Sequence, residues 1–294
     1  LDAHCYGSKD LYTPAIDGLA ANGVRFTQAY AHTVCCPTRA LLLTGRHPQR
    51  SAINNWTQGD AKDPSGKGRN MHLEEVTLAE ALKEADYKTA LFGKWHVGAH
   101  VDHGPTKQGF DEYFGHRGGF IDNKNHQFLH GKGFHDLDEG TTEVFEKGNY
   151  FPNMITNRAL QYIDQHKDSP FFMCVAFNIP HYPEQSDKRF DERYKDLKEP
   201  RRSYAKMIST TDDRMGSILK RLEKHSIRDN TIVLFMSDNG HSEEDYAIMV
   251  DDHASGLPKG ANYGANGGGG NTGKWTGRKG TFYEGGIRVP AILS

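Results

Sequence analysis

Cysteine is scarce in this sequence, charge is almost balanced, and no apolar run is long. The four cysteines among 294 residues, Cys5, Cys35, Cys36 and Cys174, are too few and too irregularly spaced for a disulfide framework. No C-x-x-C pair points to zinc or to thioredoxin-like redox chemistry. With 36 basic against 38 acidic residues the formal net charge is -2, so no overall field draws in nucleic acid or an anionic membrane surface, and any anion site must be local. The most apolar stretch, FFMCVAF at 171–177, falls far short of the ~20 residues with which a helix spans a bilayer. Nothing at the start reads as a signal peptide. The chain begins at Leu1 without a methionine and stops in VPAILS, which reads as a strand in mid-course, so it is expected to be a fragment or a processed piece.

What the sequence does have is glycine, 32 residues of it, beside only 36% apolar residues. That balance suits one large domain with many ordered loops around a modest core. Helix followed by strand is the recurrent unit. YTPAIDGLAANGVRFTQAYA predicts a helix entered after Pro14, closed near Asn22-Gly23, and followed by a strand. TLAEALKEADYKTALFGKWH repeats the scheme, with Thr77 as the candidate N-cap and KTALFG as the strand. NMITNRALQYIDQH precedes PFFMCVAF, and an amphipathic stretch over 203–225 precedes NTIVLFMSD. Continuous apolar strands separated by helices predict an α/β fold with a mostly parallel central sheet flanked by helices on both faces.

In such sheets ligands gather beyond the carboxyl ends of the strands. The residues there are Lys94-Trp95-His96 after LFG, His181 after VAFNIP, and Asp238-Asn239-Gly240 after VLFMS. Segment 115–150 and the glycine-rich segment from Tyr263 to Gly273 show no periodicity and read as long loops. Glu243, Glu244, Asp245, Asp251 and Asp252 form an acidic cluster that reads as a solvated loop.

The stretch HTVCCPTRALLLTGRHP, 32–48, places two adjacent cysteines where a loop becomes a helix. Pro37 suits a first helical turn and Cys35 then sits at the positive end of the helix dipole, where an anion is favoured. Read without more, both thiols are equally well small buried hydrophobes.

Cys35-x-Pro37-x-Arg39 followed by ALLLTGR resembles the signature of the type I sulfatases, of the alkaline-phosphatase-like superfamily. In that family the first cysteine is oxidised by a maturation enzyme to Cα-formylglycine. Thr38 stands where serine is commoner. TPAIDGLAANGVRFTQAYA, GKWHVG, GFDEYFG, PFFMCVAFNIPHYP, SDNG and KGTFYEGGIRVP resemble further blocks of the family and occur in its order, over nearly the whole chain. The resemblance implies an alkaline-phosphatase-like α/β sandwich and a sulfuric ester hydrolase.

It also implies roles. Position 35 would carry the hydrated aldehyde, one hydroxyl of which attacks sulfur and displaces the alcohol, with the sulfated diol then collapsing to release sulfate. Cys36 would be a tolerated neighbour. Arg39, at i+4 from position 35 on one helix face, would hydrogen-bond the diol. Lys94 would bind sulfate oxygens and His96 would serve the diol's proton chemistry, both pointing to one side if the chain stays extended. His181 and Lys279 would bind sulfate and protonate the leaving oxygen, with Lys259 and Lys274 as rivals for the lysine role. Ca2+, or Mg2+, would be held by position 35, Asp238 and Asn239, although Asp-Asn-Gly after a strand is also a common turn.

The family's adjacent aspartate pair, at the end of its first strand, is not in this sequence, and Asp2 is too close to Cys5 to replace it. The chain 1–294 therefore reads as a catalytic domain lacking that strand and the carboxyl-terminal subdomain. The partners implied are a small-molecule or carbohydrate sulfate ester and the formylglycine-generating enzyme, with neither nucleic acid nor a membrane span. Family habit implies a periplasmic, secreted or lysosomal location. Two other readings share this core: a phosphonate monoester or phosphodiester hydrolase, and an inactive sulfate-binding relative. His116, Arg117, Asn123, His126 and His135 lie in the long loop and are candidates for contact with the organic part of the substrate.

Overall fold

The computed structural model describes residues 2–56, 70–244, 246–262 and 268–294. Along the chain run α1 (Pro14–Ala21), β1 (Val24–Arg25), β2 (Ala29–Tyr30), α2 (Cys35–Thr44) and α3 (Leu78–Lys83). Then come β3 (Lys88–Lys94), β4 (Glu112–His116), β5 (Gln127–Phe128), β6 (Phe134–His135), β7 (Asp138–Glu139) and β8 (Thr142–Glu143). They are followed by α4 (Phe151–His166), β9 (Phe171–Ala176), α5 (Arg201–Lys224), β10 (Leu234–Met236), α6 (Glu284–Ile287), β11 (Arg288–Val289) and β12 (Ala291–Leu293). These elements fall into two compact units. One comprises Cys35–Asn178 with Met249–Ala254, the other Leu1–Val34, Ile179–Ile248 and Ser255–Ser294.

The unit that begins at Cys35 is built on a five-stranded sheet ordered β8-β7-β4-β3-β9. β3 is central and runs parallel to both β4 and β9, while β7 joins β4, and β8 joins β7, in antiparallel fashion. Every residue of β3 after Lys88 is buried, as befits a strand covered on both faces. Near its end glycine is obligatory both in β3 and at the paired position of β4. A Cβ on Gly93, at φ +122°, would meet the Ala176 carbonyl oxygen at 2.1 Å, and one on Gly115 would meet that of Gly93 at 1.8 Å.

Beside the sheet, Leu91, Trp95, Val97, Phe110 and Tyr113 pack with Cys36, Ala40, Leu43, Ile53, Met71 and Ala79. Trp95 sets its edge to Phe110 at 6.2 Å between centroids and donates Nε1–H to the His103 carbonyl at 3.0 Å. α3 is entered through a capping box, as Thr77 predicts. Thr77 Oγ1 accepts from the Glu80 amide at 3.1 Å, and Glu80 Oε2 accepts from the Thr77 amide at 2.7 Å.

In the other unit α1 packs on α5. Its N-terminus takes no cap from Thr13. Instead Asp212 of α5 accepts the amides of Ile16 at 2.8 Å and Ala15 at 3.1 Å, a tertiary substitute for an N-cap. Burial pushes the Asp212 carboxyl up to about 6. Asp2, set aside in the sequence as a metal ligand, accepts from Arg201 Nη1 at 2.7 Å and the Asn271 amide at 2.6 Å.

The α/β class holds, with two differences in detail. Among the described residues parallel pairing is confined to β3, β4 and β9, whereas β10 and β1 pair antiparallel with β12. A three-residue apolar run carries no mark of its partner's direction. Segment 115–150 is not bare loop, since it holds β5 to β8, each of two residues and too short to show a period of two.

Candidate active site

In the first unit the predicted nucleophile, Cys35, is buried and is the first residue of α2, with Cys36 buried beside it. None of the four cysteines is in a disulfide. Arg39 lies one turn on and donates from Nη1 to the Lys94 carbonyl at 2.9 Å, so it ties the start of this helix to the end of β3. Lys94 itself is only 2% exposed, and among the described residues no carboxylate pairs with it. A buried ammonium without a counter-charge is costly unless an anion arrives to balance it.

The chain does not stay extended beyond Lys94. His96 takes φ +59°, a left-handed conformation that is uncommon for a residue with a side chain, and this turns its buried ring away from the simple alternation the sequence suggested. Its amide donates to the Arg117 carbonyl at 3.2 Å, and its Nε2 lies 3.3 Å from Cys36 Sγ. Gly119 makes room for the ring, since a Cβ there would sit 2.8 Å from His96 Cε1. Cys36 thus touches the imidazole that the sequence assigned to proton chemistry. Its position beside Cys35 was the only signal for that contact, and the sequence alone left it a bystander.

His116 pairs in register with Lys94. Its Nδ1–H donates to the Gly118 carbonyl at 3.1 Å, and its Nε2 is buried without a partner. Burial, followed by the charges of Lys94 and Arg39, pushes its pKa well down, so the ring stays neutral beside those cations.

The five polar residues proposed for substrate contact in segment 115–150 are engaged by neighbours in the same unit. Besides the His116 bond, Arg117 donates to Asp138 at 3.0 Å, Asn123 Oδ1 accepts from Asn178 at 3.0 Å, and His126 donates to the Asn149 carbonyl at 3.1 Å. His135 lies 3.0 Å from Glu143.

In the second unit His181 Nδ1–H donates to the Tyr182 carbonyl at 2.9 Å, which leaves Nε2 as the working nitrogen. That nitrogen is 3.1 Å from Lys279 Nζ. Lys259 and Lys274 are exposed, and Lys274 lies over the Trp275 ring. β9 has already ended at Ala176, so the backbone after it, rather than Pro180 closing a strand, aims His181.

Glu244 completes this group. Its carboxylate pairs with Lys279, accepts from the Tyr182 hydroxyl, and comes within 3.7 Å of His181 Nε2. Its place in an acidic run concealed it, and that run divides: Glu243 bridges Arg278 at 3.1 Å and Asp252 pairs with Lys147 at 2.9 Å, while Asp245 lies outside the described residues.

Asp238 and Asn239 follow β10. Asn239 donates from Nδ2 to the Gly240 carbonyl at 2.8 Å, whereas its Oδ1 is buried and accepts nothing. An orphaned oxygen acceptor beside a carboxylate is the donor chemistry that a hard cation takes, so these residues fit Ca2+ or Mg2+. Among the described residues no three His, Cys, Asp or Glu side chains group as a metal site.

The family model described as Sulfatase matches residues 2–294. The chain belongs to the sulfatase family. It is 31% identical over 295 residues to arylsulfatase J of Mus musculus, covering 98% of this chain and 45% of that protein. It is 32% identical over 310 residues to N-acetylgalactosamine-6-sulfatase of Homo sapiens, covering 99% and 53%. The chain thus spans about half the length of the curated relatives it matches. Among solved structures, Ps i-CgsB in complex with k-i-k-neocarrahexaose superposes with a TM-score of 0.78 at 29% identity, covering 98% of this chain and 61% of that one. These neighbours bear out the α/β fold of the alkaline-phosphatase-like kind. No described helix of this sulfatase-family chain is long and apolar enough to cross a membrane.

Proposed function

We propose that this chain carries the catalytic machinery of an enzyme that hydrolyses a sulfate monoester on a carbohydrate. The observation that carries the reading is Lys94, buried at the end of β3 without a carboxylate among the described residues and tied through its carbonyl to Arg39, one turn from Cys35. A sulfate ester spreads negative charge over several oxygens, and fixed cations aimed at those oxygens lower the barrier without reorganising. The carbohydrate preference is supported by two relatives, a named N-acetylgalactosamine-6-sulfatase and a structure bound to a neocarrahexaose.

Matured to Cα-formylglycine, position 35 supplies a hydroxyl nucleophile from the hydrated aldehyde. Lys94 binds sulfate oxygens. Arg39 holds the Lys94 backbone and would hydrogen-bond the diol at position 35. His96, kept in place by Cys36 and Gly119, handles the proton of the hydroxyl at position 35. Lys279 binds the ester, and His181 Nε2 is the atom that gives a proton to the leaving oxygen. Asp238 and Asn239 would supply oxygen ligands to Ca2+ or Mg2+, whose charge would neutralise sulfate oxygens.

The test is mass spectrometry of the tryptic peptide containing Cys35, from chain co-expressed with a formylglycine-generating enzyme. The peptide is expected lighter by the difference between a CH2SH and a CHO group. An unmodified thiol in that material, or faster turnover of p-nitrophenyl phenylphosphonate than of p-nitrophenyl sulfate, would sink this reading.

A further inference from the structure

Glu244 is the least expected member of the group around His181. It belongs to an acidic run, yet its side chain is 22% exposed and that of its partner Lys279 only 5%. The two adjacent glutamates face different groups. Glu243 meets Arg278 and His241, whereas Glu244 turns to Lys279, Tyr182 and His181.

Lys279 Nζ and His181 Nε2 are 3.1 Å apart, and an ammonium at that distance opposes a proton on the imidazole. A carboxylate touching the lysine offsets that opposition. It also fixes the direction of the lysine, and through the Tyr182 hydroxyl it anchors the residue whose carbonyl holds His181 Nδ1. All three contacts of this carboxylate therefore bear on the same nitrogen.

We propose that Glu244 is a positioning residue for leaving-group protonation: it keeps Lys279 against His181 Nε2 while allowing that nitrogen to carry the proton destined for the leaving oxygen. The inference rests on the sulfatase reading above. It makes a demand that a merely structural carboxylate does not. Losing Glu244 should matter little when the leaving group needs no proton, as with p-nitrophenolate, and much when it is a sugar alkoxide.

The experiment compares Glu244→Gln, Glu244→Ala and Glu244→Asp with the parent in the full, matured chain, on p-nitrophenyl sulfate and on a sugar sulfate monoester. For Gln and Ala, kcat on the sugar ester is expected to fall by about 100-fold, within the range that general acid catalysis supplies, against less than about threefold on the nitrophenyl ester, and Asp should restore part of the loss. Equal losses on both esters would reduce Glu244 to a structural pair. A lower KM and higher kcat/KM in Gln and Ala would make it a plug that occupies the place of the sulfate. Either result overturns the proposal while leaving the sulfatase reading intact, whereas a parent chain that cleaves neither ester removes both.

Discussion

Lys94 and Lys279, one in each compact unit, are balanced in opposite ways. Lys94 sits at the end of a strand buried from Thr89 onward, with no carboxylate of the described residues on it, held by Gly93 and Trp95 on either side and by the Arg39 bond to its carbonyl. Lys279 emerges from a glycine-rich stretch of irregular backbone and is held by charge, through Glu244. A cation fixed by packing keeps its field for a ligand. One fixed by an ion pair has part of that field spent, and in return gains a direction. The difference matches the two tasks proposed, binding an anion firmly and presenting a proton-bearing nitrogen.

The largest expected effect tests the comparison at its root. Lys94→Met should cut kcat/KM on a sulfate ester by about 100- to 1000-fold, the loss typical of removing one preorganised charge contact, while leaving the melting temperature unchanged or raised. Lys279→Met should also cut activity, but it leaves Glu244 uncompensated and should destabilise by about 1–2 kcal/mol, less than the cost for a fully buried pair. Melting curves showing equal stability changes would erase the distinction between the two lysines.

Next comes Trp95→Ala. It removes the largest fully buried side chain next to Lys94 and is expected to cost about 3–5 kcal/mol in denaturant unfolding. A much smaller cost would mean that packing does not hold Lys94.

The smallest effect should lie three residues after His181. Burial pushes the Glu184 carboxyl up to about 8. The folded chain therefore keeps a proton that the unfolded chain has released, and stability falls as pH rises from the ordinary carboxylate range through about 8. Glu184→Gln should raise stability by about 1 kcal/mol or more at pH 9 and change little at acidic pH, as read by melting at both.

Much of this architecture is legible along the chain. Pro14 and the Asn22-Gly23 end bracket α1, Thr77 and Glu80 announce α3, and the amphipathic periods of α4 and α5 locate both helices within a few residues. These signals are local, each residing in a turn or less of backbone. What escaped was set by partners far off in sequence. Asp212 caps α1 from 196 positions away, β12 reverses the pairing of β10, and His96 is forced to positive φ where its amide bonds Arg117 and its ring packs on Gly119. Cys36 and Glu244 were hidden for the same reason, because a contact with His96 or Lys279 leaves no trace in the residues beside them.

By itself the sequence determined the element series, the family and the residue types available for sulfate chemistry, since propensity, capping and motif spacing are properties of neighbouring residues. Only the tertiary structure decided which lysine has no carboxylate on it among the described residues and which is paired, because burial and charge balance depend on what distant segments bring to the same place.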